Sequence, residues 1–214
     1  MCLYPRLIPN PKYKTSKKRG YYKPSQHDSR LNYVPVACGK CYECRKKRAR
    51  EWKIRLAEEI RHEKSYFVTL TIDDENLEKI KNELEIKETK GNENSIATAA
   101  LRKFLERCRK KTKKSLRHWC VTELGEDNGR IHLHGIFFGE NAVQLVIEKW
   151  KYGYVFIGTF VNERTINYIT KYMLKDDINN REFSGKVLTS AGIGAKYFER
   201  EDWKFNKYRG EDTR

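Results

Sequence analysis

Hydrophobic and polar positions change period several times along this chain, and each change marks an element. From Tyr42 to about Lys64 the apolar residues Ala49, Trp52, Leu56 and Ile60 recur at helical spacing, while Arg45, Lys46, Lys47, Arg48, Arg50, Lys53 and Arg55 cover much of the remaining surface. This predicts a helix that packs by one stripe and shows a basic face. Tyr66-Phe-Val-Thr-Leu-Thr-Ile72 is a β-branched and aromatic run too short for a helix, so it predicts a strand buried on at least one face. Asp73 to Asn94 is charged and weakly periodic, a short helix followed by a loop. Ser95 reads as the N-cap of a helix reaching about Lys111, with Ile96, Ala100, Phe104 and Cys108 on one face. Two strands, His118 to Glu123 and Ile131 to Phe138, follow as a hairpin across Gly125-Glu-Asp-Asn-Gly-Arg130. A helix at about Ala142 to Lys151, a strand at about Tyr154 to Val161 and a helix at about Glu163 to Lys175, capped by Asn162, complete the pattern. Hairpin-linked strands mixed with helices predict an α+β domain with a largely antiparallel sheet.

Composition adds a partner to this picture. Lys and Arg outnumber Asp and Glu by 45 to 29 in 214 residues, a net charge of +16, and they are interleaved with 13 Tyr and 4 Trp. Polyanions are the natural ligand of such a surface, although charge alone is equally the mark of a well-solvated protein. Residues 1 to about 37 hold four of the five prolines and a basic run from Lys12 to Lys23, and read as an extended arm. No stretch approaches the ~20 apolar residues of a membrane span, and the N-terminus lacks the apolar core of a signal peptide, so a cytoplasmic protein is expected.

Cys38, Cys41 and Cys44 follow one another at intervals of three, a spacing that suits a metal in a reducing compartment better than a disulfide framework. Tetrahedral zinc takes four ligands, and Cys2 is the expected fourth. An iron–sulfur centre is the lesser alternative, and free buried thiols the other. Cys108 and Cys120 fit core faces.

Two constellations carry chemistry. Side chains alternate along a strand, so His132 and His134 share one face and can share one ion. If Gly125 and Arg130 close the hairpin turn, Glu123 lies opposite His132 on that face and supplies an oxygen ligand, which moves the preference toward Mn or Mg. The alternative is a pair of ordinary polar residues on a half-exposed strand. Gly135, just behind the pair, reads as a place where another backbone or a ligand comes close. His118 has no such company and is expected to be satisfied locally or to face solvent. Tyr168 and Tyr172, four apart on the last helix, sit off the stripe of Ile166, Ile169 and Met173 and toward Lys171 and Lys175. They read either as edge-of-core aromatics or as nucleophiles. A phenol attacks a phosphodiester usefully only when its proton is removed and the phosphate charge is offset, and a metal and a lysine supply that.

Three segments in order, Phe67-Val-Thr-Leu-Thr-Ile72, His132-Leu-His-Gly135 and Tyr168-Ile-Thr-Lys-Tyr-Met-Leu-Lys175, resemble the three motifs of the HUH endonucleases of the Rep class. The likeness is nearest to the replication initiators of small single-stranded DNA phages, microviruses and especially gokushoviruses. It extends to Pro35-Val-Ala-Cys-Gly-Lys-Cys-Tyr-Glu-Cys-Arg45, to Glu51-Trp-Lys-Ile-Arg55 and to Ser190-Ala-Gly-Ile-Gly194. The resemblance implies an RRM-like palm carrying the site, with helices on one face and a metal-clamped N-terminal arm. It also implies a rolling-circle initiator that nicks and rejoins single-stranded DNA through a 5′-phosphotyrosine and frees a 3′-OH. By position, Tyr168 and Tyr172 inherit the nucleophile roles, Glu123, His132 and His134 the Mg or Mn site, and Lys171 and Lys175 the supporting charge. Arg45, Lys46, Lys47, Arg48, Arg50, Lys53 and Arg130 are the expected DNA contacts, with an origin strand as substrate and host replication proteins as partners. The expected division is 1–44 for the arm and cysteine cluster, 45–200 for the endonuclease domain and 201–214 for a charged tail. Family members often continue past the Gly-Ile-Gly region, so that tail is expected to be a truncated end. Competing readings are a non-catalytic module that binds single strands and carries a structural zinc, and a nuclease that uses water rather than tyrosine.

Overall fold

The computed structural model of the chain describes residues 2–11, 32–125, 129–158, 161–175 and 183–204. The basic run from Lys12 to Lys23, turn residues 126–128 and the tail beyond 204 lie outside them. Two compact units are present, Met1–Arg48 and Ala49–Arg214. Among the described residues no helix is long and apolar enough to cross a membrane.

In the first unit β1 (Arg6–Pro9) pairs antiparallel with β2 (Tyr33–Val36), Arg6 opposite Val36 and Pro9 opposite Tyr33. Asn10 N–H donates to Asn32 O at 2.8 Å and extends the ribbon. The described ends of the expected extended arm are therefore paired with each other. α1 (Tyr42–Glu59) begins in this unit and continues into the next.

The second unit is built on a five-stranded sheet of β3 (Ser65–Thr71), β4 (Arg117–Leu124), β5 (Ile131–Phe138), β6 (Val155–Ile157) and β7 (Val187–Thr189). Their order is β6-β3-β5-β4-β7, and every neighbouring pair is antiparallel. α2 (Asp74–Glu83) starts where Asp73 accepts a hydrogen bond from Asn76 N–H at 2.8 Å. α3 (Glu93–Thr112) starts earlier than expected: Asn92 holds the cap position, and Ser95 lies inside the first turn. α4 spans Ala142–Lys149, and α5 spans Glu163–Lys171 behind a reciprocal capping box between Asn162 and Thr165.

Three elements differ from the periodicity. β6 has three residues, well short of the strand expected over about 154 to 161. β7 has no counterpart in the sequence pattern, because its short run does not alternate on its own and is held by β4. α1 ends at Glu59, where Arg61 and His62 N–H turn back to the carbonyls three residues earlier.

One face of the sheet, with Val68, Leu70, Cys120, Leu133 and Phe137, packs on Ile96, Ala100, Leu101 and Phe104 of α3 and Val146 of α4. The opposite face, with Trp119, Val121, Ile136 and Phe138, packs on Leu56 of α1 and on Ile166, Ile169 and Met173 about α5. The expectation of helices on one face is thus corrected. The cause is visible in β4 and β5, whose runs Trp119-Cys-Val121 and Ile136-Phe-Phe138 are apolar on both faces and must be covered on both.

The Ser190–Gly194 segment is fastened to α1 through one buried carboxylate. Glu59 accepts from Arg117 Nε and from Gly194 N–H at 2.6 Å, while the Arg117 guanidinium also donates to Ala191 O and Gly192 O at 3.2 and 2.9 Å. Gly194 has φ +71°, and a Cβ there would lie 2.6 Å from Arg55 Cα. A side chain would push the segment off the helix. Glu59→Ala removes an acceptor from two buried donors and is expected to cost roughly 2–3 kcal/mol. Urea unfolding should show a lowered midpoint at an unchanged slope.

Candidate active site

The register of the central strands decides what meets on the second face. Thr71 and Glu123 lie opposite His132, and Thr69 and Val121 lie opposite His134. Gly125 N–H donates to Arg130 O at 2.9 Å and closes the hairpin as the turn residues suggested. The Glu123 carboxylate reaches the diagonal neighbour: Oε2 lies 2.6 Å from His134 Nε2, and Lys175 Nζ donates to Oε1 at 2.5 Å. Thr69 Oγ1 sits 3.0 Å from His134 Nδ1, so both ring nitrogens of this buried imidazole are engaged. The His132 and His134 rings stack at 6.2 Å between centroids, 10° from parallel. Gly125 makes room for the first of them, since a Cβ there would lie 3.1 Å from His132 Nε2.

α5 brings the tyrosines onto this group. Tyr172 lies flat on His134, with ring centroids 4.2 Å apart and 3° between planes, and Tyr172 O–H donates to the Tyr168 hydroxyl at 2.5 Å. The two tyrosine rings meet edge to face at 5.3 Å. Tyr172 is the C-cap of the helix, not an interior residue, because the chain tightens there: the N–H groups of Tyr172, Met173 and Leu174 bond three residues back. That tightening carries Lys175 to Glu123, with its Nζ 6.0 Å from the centre of the Tyr172 ring. Lys171 stays exposed on α5, and among the described residues no hydrogen bond or ion pair joins it to the cluster. Phe67 completes the floor, edge-on to Tyr168 and parallel to His134, at 6.2 Å in both cases.

The electrostatics follow from this packing. Burial alone would raise the Glu123 carboxyl, but hydrogen bonds and charge from His134 and Lys175 outweigh it and hold the group below its ordinary value. Burial and the neighbouring His134 push His132 down, which keeps that imidazole neutral with a lone pair to offer. Two imidazoles and a carboxylate suit a divalent cation, and a phenol stacked on one imidazole beside a lysine suits attack on phosphate.

Phe67, Thr69 and Gly125 carry no mark of the site in the sequence alone. For the first two a signal is present, since they alternate along β3 on the face that pairs with the histidines, but it needs the β3–β5 register to be used. Gly135 has a different role from the one expected. It lies on the opposite face, where a Cβ would come within 2.6 Å of Cys120 Sγ, so its missing side chain accommodates the core. His118 is buried, with Nδ1 3.0 Å from both Leu116 O and Ser190 Oγ. Arg130 donates twice to the Asp74 carboxylate. On α1, Lys46, Lys47, Arg48 and Arg50 are exposed, while Arg45 and Lys53 are half-buried.

In the first unit Cys2, Cys38, Cys41 and Cys44 come together with their sulfurs within 4.8 Å of one another, a group that can hold a metal such as zinc. Backbone hydrogen bonds from Leu3 and Cys44 to the Cys41 sulfur pull that thiol down to about 6. Cys108 and Cys120 are buried in the core.

The family model of the phage replication-associated protein ORF2 matches residues 65–177, from β3 through the tyrosine helix and more than half of the chain. The chain belongs to this family. It is 25% identical over 206 residues to the replication-associated protein ORF4 of Chlamydia phage 1, covering 80% of this chain and 48% of that protein. The chain therefore spans about half the length of this curated relative. No solved structure matches it. The family match encloses Glu123, His132, His134, Tyr168, Tyr172 and Lys175, whereas the cysteine cluster lies outside it.

The depressed Glu123 pKa stabilises the fold fully above the ordinary carboxylate value, and that contribution is lost as pH falls through the lower, folded value. Lys175→Met removes one cause of the depression. Acid unfolding is then expected to begin at higher pH, and the carboxyl carbon of Glu123 should titrate nearer to or above its ordinary value by NMR.

Proposed function

We propose that this chain is the nicking and joining domain of a rolling-circle replication initiator, an HUH endonuclease of single-stranded DNA built on an RRM-like palm. The observation that carries the reading is the seating of Tyr172 on His134, with Tyr168 hydrogen-bonded to it, directly over a carboxylate and two histidines. The order of β6, β3, β5 and β4, with α2, α3 and α4 on one face, supports the palm. Family membership supports a role in phage DNA replication.

Glu123, His132 and His134 would hold a divalent ion, Mg or Mn by their donor set, which supplies polarisation of the scissile phosphate when bound. The remaining chemistry belongs to the side chains. One tyrosine oxygen attacks phosphorus as its proton leaves, the P–O3′ bond breaks, and the strand ends as a 5′-phosphotyrosine and a free 3′-OH. The second hydroxyl, already bonded to the first, supports the developing phenolate, and Lys175 supplies positive charge beside it. Rejoining is the reverse attack by a 3′-OH. Thr69 fixes the tautomer and tilt of His134 through Nδ1. The exposed cations of α1, with Arg130, are the proposed contacts to the strand, and host replication proteins the proposed partners.

The test is covalent capture. Incubated with a labelled single strand and Mn or Mg, the protein is expected to form an adduct that survives a denaturing gel. Tyr168→Phe and Tyr172→Phe should each retain one attachment, and the double variant none, because Phe keeps the ring and removes only the hydroxyl. Cleavage without adduct would show water as the nucleophile, and binding without cleavage a non-catalytic module. His132→Ala and His134→Ala are expected to abolish nicking while the near-ultraviolet circular dichroism remains native. Full cleavage in EDTA would exclude the metal.

A further inference from the structure

The cysteine group is not absorbed by this chemistry, and its geometry can be tested against ligand types. Cys2 Sγ lies 3.9 Å from Cys41 Sγ, and Cys38 Sγ lies 3.9 Å from Cys44 Sγ. Four sulfurs about 2.3 Å from one tetrahedral ion are separated by edges of about 3.8 Å. These sulfurs are too far apart for disulfides, whose bond is about 2.05 Å, and all four thiols are free. They are too close together for a polynuclear iron–sulfur cluster, which spreads its thiolates around a core of several atoms. The surrounding backbone is arranged for thiolates. Cys38 N–H donates to Cys2 Sγ and Cys41 N–H to Cys38 Sγ, each at 3.3 Å, and Gly39 at φ +76° turns the chain back so that the second contact is made.

A second observation concerns what holds this unit together. Every described aliphatic and aromatic side chain in residues 2–11 and 32–44 is exposed or half-buried, so these residues form no apolar core. A two-stranded ribbon alone is marginal in water. What joins its ends is the cysteine group, with one ligand before β1 and three after β2. The segment between Cys2 and Cys38 carries eight Lys or Arg against one acid, Asp28. A single metal would therefore join the two ends of a strongly cationic segment.

We propose that Cys2, Cys38, Cys41 and Cys44 hold one zinc ion as a mononuclear tetrathiolate, and that this ion is the clasp that keeps the ends of segment 3–37 together in the form that binds single-stranded nucleic acid. Metal occupancy and polyanion affinity are then coupled, since a structural site that forms only in the folded unit contributes its binding free energy to folding. The polyanion half rests on the reading given under Proposed function, and the metal half does not.

The experiment uses the full chain. Elemental analysis of purified protein is expected to give one zinc per chain, and exchange with Co(II) to give thiolate charge-transfer and tetrahedral d–d bands. Cys2→Ser should lose those bands and bind a fluorescent single-stranded oligonucleotide about tenfold more weakly, with a shallower salt dependence. Cys2→His, which keeps a zinc ligand, should recover both. A mercurial reagent that ejects the metal from wild type should reproduce the loss without any mutation. The five-stranded unit has its own core, so its thermal transition serves as the folding control. Protein that carries no metal and gives no thiolate–cobalt spectrum would overturn the site, as would the absorption of a polynuclear iron cluster. Unchanged affinity and salt slope in metal-free protein would overturn the coupling. The tyrosine adduct, scored on the same samples, separates this proposal from the nicking reading: zinc and affinity without any adduct would sink only the latter.

Discussion

Pairing of β4 with β5 is the constraint on which the rest of the second unit depends. Side chains alternate with a period of two, so a slip of one residue would send Glu123 to the face opposite His132 and His134. Three features hold the register. The Gly125–Arg130 bond closes the hairpin, Gly135 leaves room for Cys120 across the strand, and apolar residues on both faces would lose their partners if the strands moved. β3 then adds Thr69 and Phe67 to the same face through its own register with β5.

Charge closes what the sheet positions. Glu123 is largely withdrawn from solvent, and such a carboxylate is stable only when its oxygens are engaged. His134 takes one oxygen and Lys175 the other, and this second bond depends on α5 tightening after Lys171. The same tightened turn sets Tyr172 flat against His134. A fully regular helix through Lys175 would aim these side chains differently, so the irregular end of α5 belongs to the site as much as the histidine strand does. At its other end the Asn162 capping box, together with Ile166 and Ile169 in the core, holds the helix in place.

The two units rest on different physics. Ala49–Arg214 buries two apolar layers about a sheet and has the size of an ordinary domain. Met1–Arg48 is too small and too polar to do so, and its ribbon and cysteine group are its local sources of order. A basic segment cannot bury apolar surface and bind phosphate with the same residues. Joining its ends at a compact group of soft ligands leaves the cations free for solvent or for a polyanion.

The chain by itself determined the features encoded locally. Hairpin turn residues placed Glu123 opposite His132, helical spacing put Tyr168 and Tyr172 on one side of α5, and cysteine spacing marked a group that lacked a fourth member. Turn chemistry and the periods of strand and helix act over a few residues, so they can be read without the fold. Tertiary structure decided what depends on distant partners. It placed Thr69 on His134, Lys175 but not Lys171 at Glu123, β7 beside β4, and α1 and α5 over the second face of the sheet. Each of these is selected by packing and by the pairing of buried charge between residues tens of positions apart, for which a local period carries no record.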